Sequence, residues 1–163
     1  MSSSGELSAS EAFLEMFRRH AAGISIITLR SSGGQAKGFI ATSLASLSAR
    51  PPRATFNMTV TASSWPAVKN TDELLIHTLG ASNLELARQF SGDSAERFSG
   101  IETLEGPSGL PLLPGVTGWL HGRITERIVL GEAATIVVDI LGGSAGSDGQ
   151  GLVYRNKNFS FCD

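Results

Sequence analysis

The side chains with the most chemical potential fall into two polar clusters. Residues 38–52 read GFIATSLASLSARPP and hold four hydroxyls, Thr42, Ser43, Ser46 and Ser48, between Gly38 and the pair Pro51-Pro52. A second cluster comprises Asn57, Thr59, Thr61, Ser63 and Ser64. Hydroxyls and exposed backbone N–H groups donate hydrogen bonds without adding charge, which suits an uncharged or phosphorylated ligand. Ser63 and Ser64 precede Trp65-Pro66 and so stand at a helix start, a natural anion site. A plain Ser-rich loop and a plain helix cap have the same composition, so both readings stay open on these residues alone. Arg97-Phe98 sets a cation beside an aromatic ring, either to reach a phosphate or to snorkel over a core Phe.

Other chemistries are excluded by what is missing. His20, His77 and His121 lie 57 and 44 residues apart, without the close spacing of a zinc helix or hairpin. Cys162, the one cysteine, allows neither an internal disulfide nor a Cys-based metal site. There is no G-x-S-x-G elbow, no G-x-G-x-x-G and no G-x-x-x-x-G-K-[ST], so a nucleotide must be held in another way. Thirteen Lys and Arg against 15 Asp and Glu give a net charge of −2, with the basic residues scattered. That argues against nucleic acid as a partner. No apolar run approaches the roughly 18 residues that would suggest a membrane span. The first ten residues lack the basic and apolar stretches of a signal peptide. A cytoplasmic location is the expectation.

These clusters need a scaffold, and the 163 residues are enough for one domain. Residues 1–8 read as a flexible leader and residues 9–163 as a single folded unit. Ser8 followed by Glu11 has capping-box spacing, and Phe13, Leu14, Phe17 and Ala21 recur at helical intervals, predicting a helix over 9–21. Strands are predicted at 24–29, 36–42, 54–59 and 73–79, with a short helix opening at Ser63-Ser64-Trp65-Pro66 between the last two. Ser82-Asn83-Leu84-Glu85 repeats the capping-box spacing and starts a helix ending near Phe90. After a Gly/Pro-rich loop at 99–115 come strands at 116–128 and 133–141. A flexible loop at 142–151 and a closing hairpin around Asn156-Lys157 complete the chain. Trp65 and Trp119 are expected in the core. Short strands outnumber brief helices, so the expected class is mainly β with peripheral helices (α+β), built on a closed or partly closed barrel.

The order of these segments resembles the flavin reductase-like family, whose members have the FMN-binding split β-barrel. The likeness runs over about residues 12–160. Phe17-Arg18 and Gly23-Ile24-Ser25-Ile26-Ile27-Thr28 are similar to the family's opening helix and first strand. Gly38-Phe39-Ile40-Ala41, Ser46-Leu47-Ser48 and Pro51-Pro52 resemble its Gly-x-Thr-Ala…Ser-Val-Ser-x-x-Pro-Pro segment, with Ile40 in place of Thr. Asn57, Ser63-Ser64, the run from Asn83 to Phe90, Arg97-Phe98 and Leu152-Val153-Tyr154 match later motifs in the same order.

The resemblance implies an NAD(P)H:flavin oxidoreductase that passes a hydride to FMN or FAD and supplies reduced flavin to a partner monooxygenase, usually as a homodimer. It places Ala41, Thr42, Ser43, Ser46, Leu47 and Ser48 along the ribityl chain and flavin ring, Asn57 in the same cradle, and Ser63, Ser64 and Arg97 nearer the phosphate. One position departs from the family. Its Gly-Asp-His, whose imidazole lies near the nicotinamide, is here Gly131-Glu132-Ala133. His121, on the preceding strand, is the candidate for a replacement imidazole. The alternative reading is a flavin-binding split barrel without NAD(P)H reductase activity.

Overall fold

The computed structural model describes residues 5–147 and 149–163; residues 1–4 of the expected leader lie outside them. Helix α1 (Ala9–Arg19) carries the predicted capping box. The Ser8 hydroxyl accepts from the Glu11 N–H, and the Glu11 carboxylate accepts from the Ser8 N–H at 2.9 Å. The helix buries none of its residues. The strands that follow are β1 (Ala22–Gly23), β2 (Ser25–Arg30), β3 (Ala36–Ala41), β4 (Ala45–Ala49) and β5 (Pro52–Thr59). Helix α2 (Trp65–Asn70), β6 (Glu73–Thr78) and helix α3 (Leu84–Ser91) come next. Then come β7 (Leu104–Glu105), β8 (Pro111–Leu112), the long pair β9 (Gly118–Leu130) and β10 (Ala133–Ser144), and the hairpin β11 (Gly151–Arg155) and β12 (Asn158–Cys162).

Seven strands form one antiparallel sheet in the order β3-β2-β6-β9-β10-β5-β4. Its end strands, β3 and β4, are not paired with each other, so the barrel is partly closed and stays split. The split lies beside the Ser/Thr-rich segment, because residues 42–44 join the two end strands. One core fills the barrel interior around Phe56, Leu74, Ile76 and Ile136, with Ala67 and Val68 of α2 packed on it. A second core, around Ile24, Ile26, Phe90, Leu113 and Leu152, joins β2 to α3 and the C-terminal hairpin. Strand β2 therefore feeds both cores from its two faces, which explains its run of Ile residues better than alternation does.

Several expectations need correction. Residues 45–49 are a strand where a Ser-rich loop was expected; Ala and Ser on an exposed edge give little strand signal. The 99–115 loop contains β7 and β8, and β10 extends to Ser144, into the expected flexible loop. The capping box expected from Ser82 and Glu85 does not form; Asn83 is the N-cap residue of α3 and makes no side-chain capping bond. It is buried, its Oδ1 accepting from the Gly80 N–H at 2.9 Å and its Nδ2 donating to the Gly115 carbonyl at 2.8 Å. Its side chain thus closes the Gly80 turn locally and ties it to Gly115. Trp65 packs against the barrel core, whereas Trp119 is half-buried and belongs to neither core. Among the described residues no helix is long and apolar enough to cross a membrane.

Candidate functional site

A cavity of about 500 Å³ opens at the split of the barrel. Phe39, Ile40 and Thr42 form one side, at the end of β3; Asn57, Met58 and Thr59 of β5 form the facing side. Tyr154 and Phe159 of the C-terminal hairpin, their ring centroids 5.4 Å apart, close a third side. The far end is polar, made by Ser63, Ser64, Ser91 and Arg97. It runs into a small bay of about 50 Å³ that adds Lys37 and Ser94 to Ser63, Ser64 and Arg97. Neither the cavity nor the bay is lined by a carboxylate. Two cations among hydroxyls at one end, and aromatic and aliphatic walls at the other, match a ligand with an anionic tail and a flat apolar head.

Each polar group is held by a nameable contact. Ser64 occupies the N-cap of α2 but makes no side-chain capping bond; it is buried against the cavity, which removes the plain-cap reading for that residue. Arg97 donates from Nη1 to the Gly38 carbonyl at 2.9 Å and from Nε to the Gly92 carbonyl at 3.4 Å. Its Nη2 has no hydrogen-bond partner among the described residues. Burial lowers the pKa of this guanidinium, while the charge of Asp93 acts in the opposite direction, as desolvation and an opposite charge must. Gly38 is required behind it: a Cβ there would meet Phe90 Cε1 at 2.7 Å and Phe98 Cζ at 3.0 Å. Phe90 and Phe98 pack edge to face at 5.2 Å, and both lie against Gly38, whose carbonyl holds Arg97, so the guanidinium does not snorkel freely.

Asn57 is clamped twice. The Ser43 hydroxyl accepts from the Asn57 N–H at 2.8 Å and donates to its carbonyl at 3.2 Å. The Thr135 hydroxyl donates to Asn57 Oδ1 at 2.8 Å, across the β5–β10 pair that sets Thr135 opposite Asn57. With Oδ1 occupied, the amide Nδ2 is the group left to face a ligand.

The ten residues expected to bind cofactor therefore separate. Thr42, Asn57, Ser63, Ser64 and Arg97 line the cavity. Ser43 stands behind Asn57, and Ala41 is buried in the barrel core. Ser46, Leu47 and Ser48 lie on β4, outside the cavity wall; Ser48 donates to the Pro51 carbonyl at 2.6 Å and Leu47 is exposed. Sequence reasoning missed the aromatic and apolar walls, above all Phe39, Met58, Tyr154 and Phe159. Met58 and Thr59 follow directly on Asn57 and carried a usable signal; the hairpin rings arrive only through tertiary packing.

None of the three histidines lines the cavity. His121 bonds from Nε2 to Glu73 at 3.0 Å, on a surface cluster that also holds Arg123. Ser108 first, then His121, hold the Glu73 carboxyl below its ordinary pKa by bonding to its charged form. His77 is fully buried, and burial pushes its pKa down to about 4. Ala133 pairs with the cavity residue Thr59 and is exposed.

Split barrel, cleft and motif order define one class, and the chain belongs to the family of the flavin reductase like domain, matched over residues 17–162. A crystal structure of a flavin reductase domain protein from Arthrobacter sp. FB24 superposes with a TM-score of 0.90 at 45% identity, covering 94% of this chain and 96% of that one. An NADH:FMN oxidoreductase from Rhodococcus erythropolis is 36% identical over 122 residues, 74% of this chain and 62% of that protein. The chain thus spans less than two thirds of that relative's length. An FMN reductase (NADH) RutF from Stutzerimonas stutzeri is 30% identical over 151 residues, covering 91% of this chain and 86% of the relative.

Proposed function

We propose that the protein is an NAD(P)H:flavin oxidoreductase whose cleft binds FMN or FAD. The observation that carries this is the two-ended cavity: serines with Arg97 and Lys37 at one end, aromatic walls and Asn57 at the other. Its volume of about 500 Å³ is of the size usual for cofactor sites. The residues fit a flavin. Ser63, Ser64 and Arg97 would hold its phosphate, Thr42 and Asn57 would donate along the cleft, and Phe39, Tyr154 and Phe159 would enclose its apolar ring. When bound, the flavin supplies the redox chemistry by accepting a hydride from a reduced nicotinamide. The protein's part is to orient the ring, offer the Asn57 amide as a donor and keep bulk water off one face. Ala41, Ser46, Leu47 and Ser48 enter this reading as support behind or beside the cleft rather than as its walls.

The same reading extends to a cytoplasmic homodimer that hands reduced flavin to a partner monooxygenase; a cleft open to solvent supports release of the product. One observation favours the alternative of a flavin-binding barrel without reductase activity. Ala133 brings only a methyl group to the rim, and His121 is engaged with Glu73 elsewhere. An anaerobic visible spectrum with FMN or FAD, taken before and after NADH and then NADPH, separates the two. Bleaching of the flavin band is the expected result. A bound-flavin spectrum left unchanged by both nucleotides would sink the reductase reading, and gain of bleaching in Ala133→His would then locate the loss.

A further inference from the structure

Residues 92–99 close the back of the bay, contributing Ser94, Arg97 and Phe98 to its lining. The segment is mostly exposed and belongs to no sheet, yet its backbone is fixed. Three of its carbonyls, those of Glu96, Arg97 and Ser99, converge on Nε2 of Gln89 at 3.0, 3.0 and 2.8 Å. A primary amide has two N–H groups, so three acceptors use all of its donor capacity, with one bond shared. Gln89 is half-buried on α3, next to the buried Phe90. Its own carbonyl accepts from the Gly92 N–H at 3.2 Å. From the far side, Arg97 is tied through its guanidinium to the Gly38 carbonyl. Arg97 is therefore held at both ends, its backbone by Gln89 and its head by Gly38.

What this wall encloses is small and cationic. The bay has a volume of about 50 Å³, and its charged groups are Lys37 and Arg97. Lys37 is half-buried and has no ion-pair partner among the described residues. The Asp93 carboxylate, whose charge acts on Arg97, takes the Ala95 N–H at 3.1 Å and does not line the bay. Two cations facing one small space suit a dianion better than a monoanion. A phosphate monoester carries roughly −1.5 to −2 near neutral pH. A diphosphate diester carries one charge on each phosphorus and continues into a nucleoside, which needs a pocket of roughly 300 Å³ or more. The bay is several times too small for that.

We infer that Gln89 is a positioning residue that fixes Arg97 and the wall of the bay, so that the cleft selects a flavin ending in a phosphate monoester, FMN, over the dinucleotide FAD. This rests on the flavin reading above and adds the end group that is selected and the side chain that sets it. With residues 92–99 pinned, FAD can enter only with its diphosphate lifted out of the bay, away from Lys37 and Arg97. Freeing the segment costs FMN its preset cation and costs FAD nothing, because FAD does not use the bay.

The test titrates the full chain with FMN, FAD and riboflavin by fluorescence quenching. Wild type is expected to bind FMN at least ~10-fold more tightly than either of the others, the value of one charge-assisted bond. Gln89→Met keeps the length of the side chain and removes both N–H donors. It is expected to raise the Kd for FMN about 10-fold while FAD and riboflavin stay within about threefold of wild type. Gln89→Glu turns a carboxylate towards the same three carbonyls and is expected to lose more FMN affinity than Gln89→Met. Riboflavin, which lacks the phosphate, reports whether each variant still forms the cleft. A wild type that binds none of the three overturns the flavin reading itself. FAD or riboflavin bound as tightly as FMN overturns the selection and leaves the flavin reading standing. Equal losses of FMN and riboflavin in Gln89→Met, or no loss of either, overturn the positioning role of Gln89.

Discussion

Replacing Arg97 with Leu isolates the anionic end of the cleft. The guanidinium is part-buried, with Nη1 and Nε bonded to the carbonyls of Gly38 and Gly92, so its direction is set before any ligand arrives. A preset, charge-assisted bond to a phosphate contributes about 1.5–3 kcal/mol, which is roughly a 10- to 150-fold change in Kd. The same substitution removes the tie to Gly38, a neutral carbonyl, at about 1 kcal/mol of fold stability. The two effects separate by ligand. FMN carries the phosphate and riboflavin does not. A fluorescence-quenching titration of Arg97→Leu should show FMN affinity falling by roughly 10- to 150-fold and riboflavin affinity by less than about threefold. Added salt should weaken FMN binding to wild type and leave the variant nearly unaffected, because the attraction being screened is gone. Equal losses for both ligands would mean that Arg97 only supports the loop, and no loss for FMN would refute the assignment of the bay to phosphate.

Three further outcomes follow from particular contacts. His77 donates from Nδ1 to the Ile26 carbonyl at 3.0 Å and accepts the Leu113 N–H on Nε2 at 3.1 Å, which requires the neutral ring. Unfolded it takes a proton near its ordinary pKa of 6.5 and folded only at about 4. Its contribution is therefore whole above pH ~6.5 and is lost as pH falls towards ~4, about 3 kcal/mol in all. Denaturant melts across that range should show the slope in wild type, and a His77→Leu variant that keeps the same slope would contradict the assignment. Gly38→Ala should overpack against Phe90 and Phe98, lowering stability by about 1–3 kcal/mol. The readout is a drop in Tm of several degrees, and an unchanged Tm would mean that the ring pair moves freely. Thr135→Val should weaken flavin binding several-fold and Thr135→Ser should restore it, since only the hydroxyl fixes the Asn57 amide. Equal behaviour of the two variants would refute that positioning role.

How much of this was legible in the sequence depends on how local each cause is. The α1 capping box uses Ser8 and Glu11, three residues apart, and forms as read. The closing hairpin turns at Asn156 and Lys157, both in the left-handed region with φ 52 and 61 degrees, which the turn chemistry of that pair foreshadows. Asn83 shows the limit: the spacing from Ser82 to Glu85 forms no capping box, because α3 begins one residue later, and the Asn83 side chain is taken up by the Gly80 N–H and the Gly115 carbonyl. Within the site, Ser63, Ser64 and Arg97 were readable through their motif order. Tyr154 was legible only as part of the Leu152-Val153-Tyr154 motif, without a place in the site, and Phe159 not at all, since most of the chain separates both from the β3 and β5 walls they face. β4 escaped because an edge strand of Ala and Ser pairs through backbone alone, and the same exposure moves Ser46, Leu47 and Ser48 off the cavity wall.

The cleft has two ends of different construction, and this bears on how its chemistry can vary. The phosphate end rests on buried structure: Gly38 under two packed rings, Arg97 tied to backbone carbonyls, and Ser64 enclosed. Thr59 and Ala133, paired across β5 and β10, are exposed, and a side chain there can change without disturbing a core. A substitution at the rim should therefore alter turnover while flavin affinity holds. On the proposed reading Ala133 stands toward the nicotinamide side, and it leaves every contact of Ser63, Ser64 and Arg97 in place. Ala133→His should accordingly shift the KM for NADH or kcat by several-fold, with the Kd for FMN close to that of wild type. A parallel change in FMN affinity would mean that the two ends are coupled, and the division of the site into binding and chemical halves would fail.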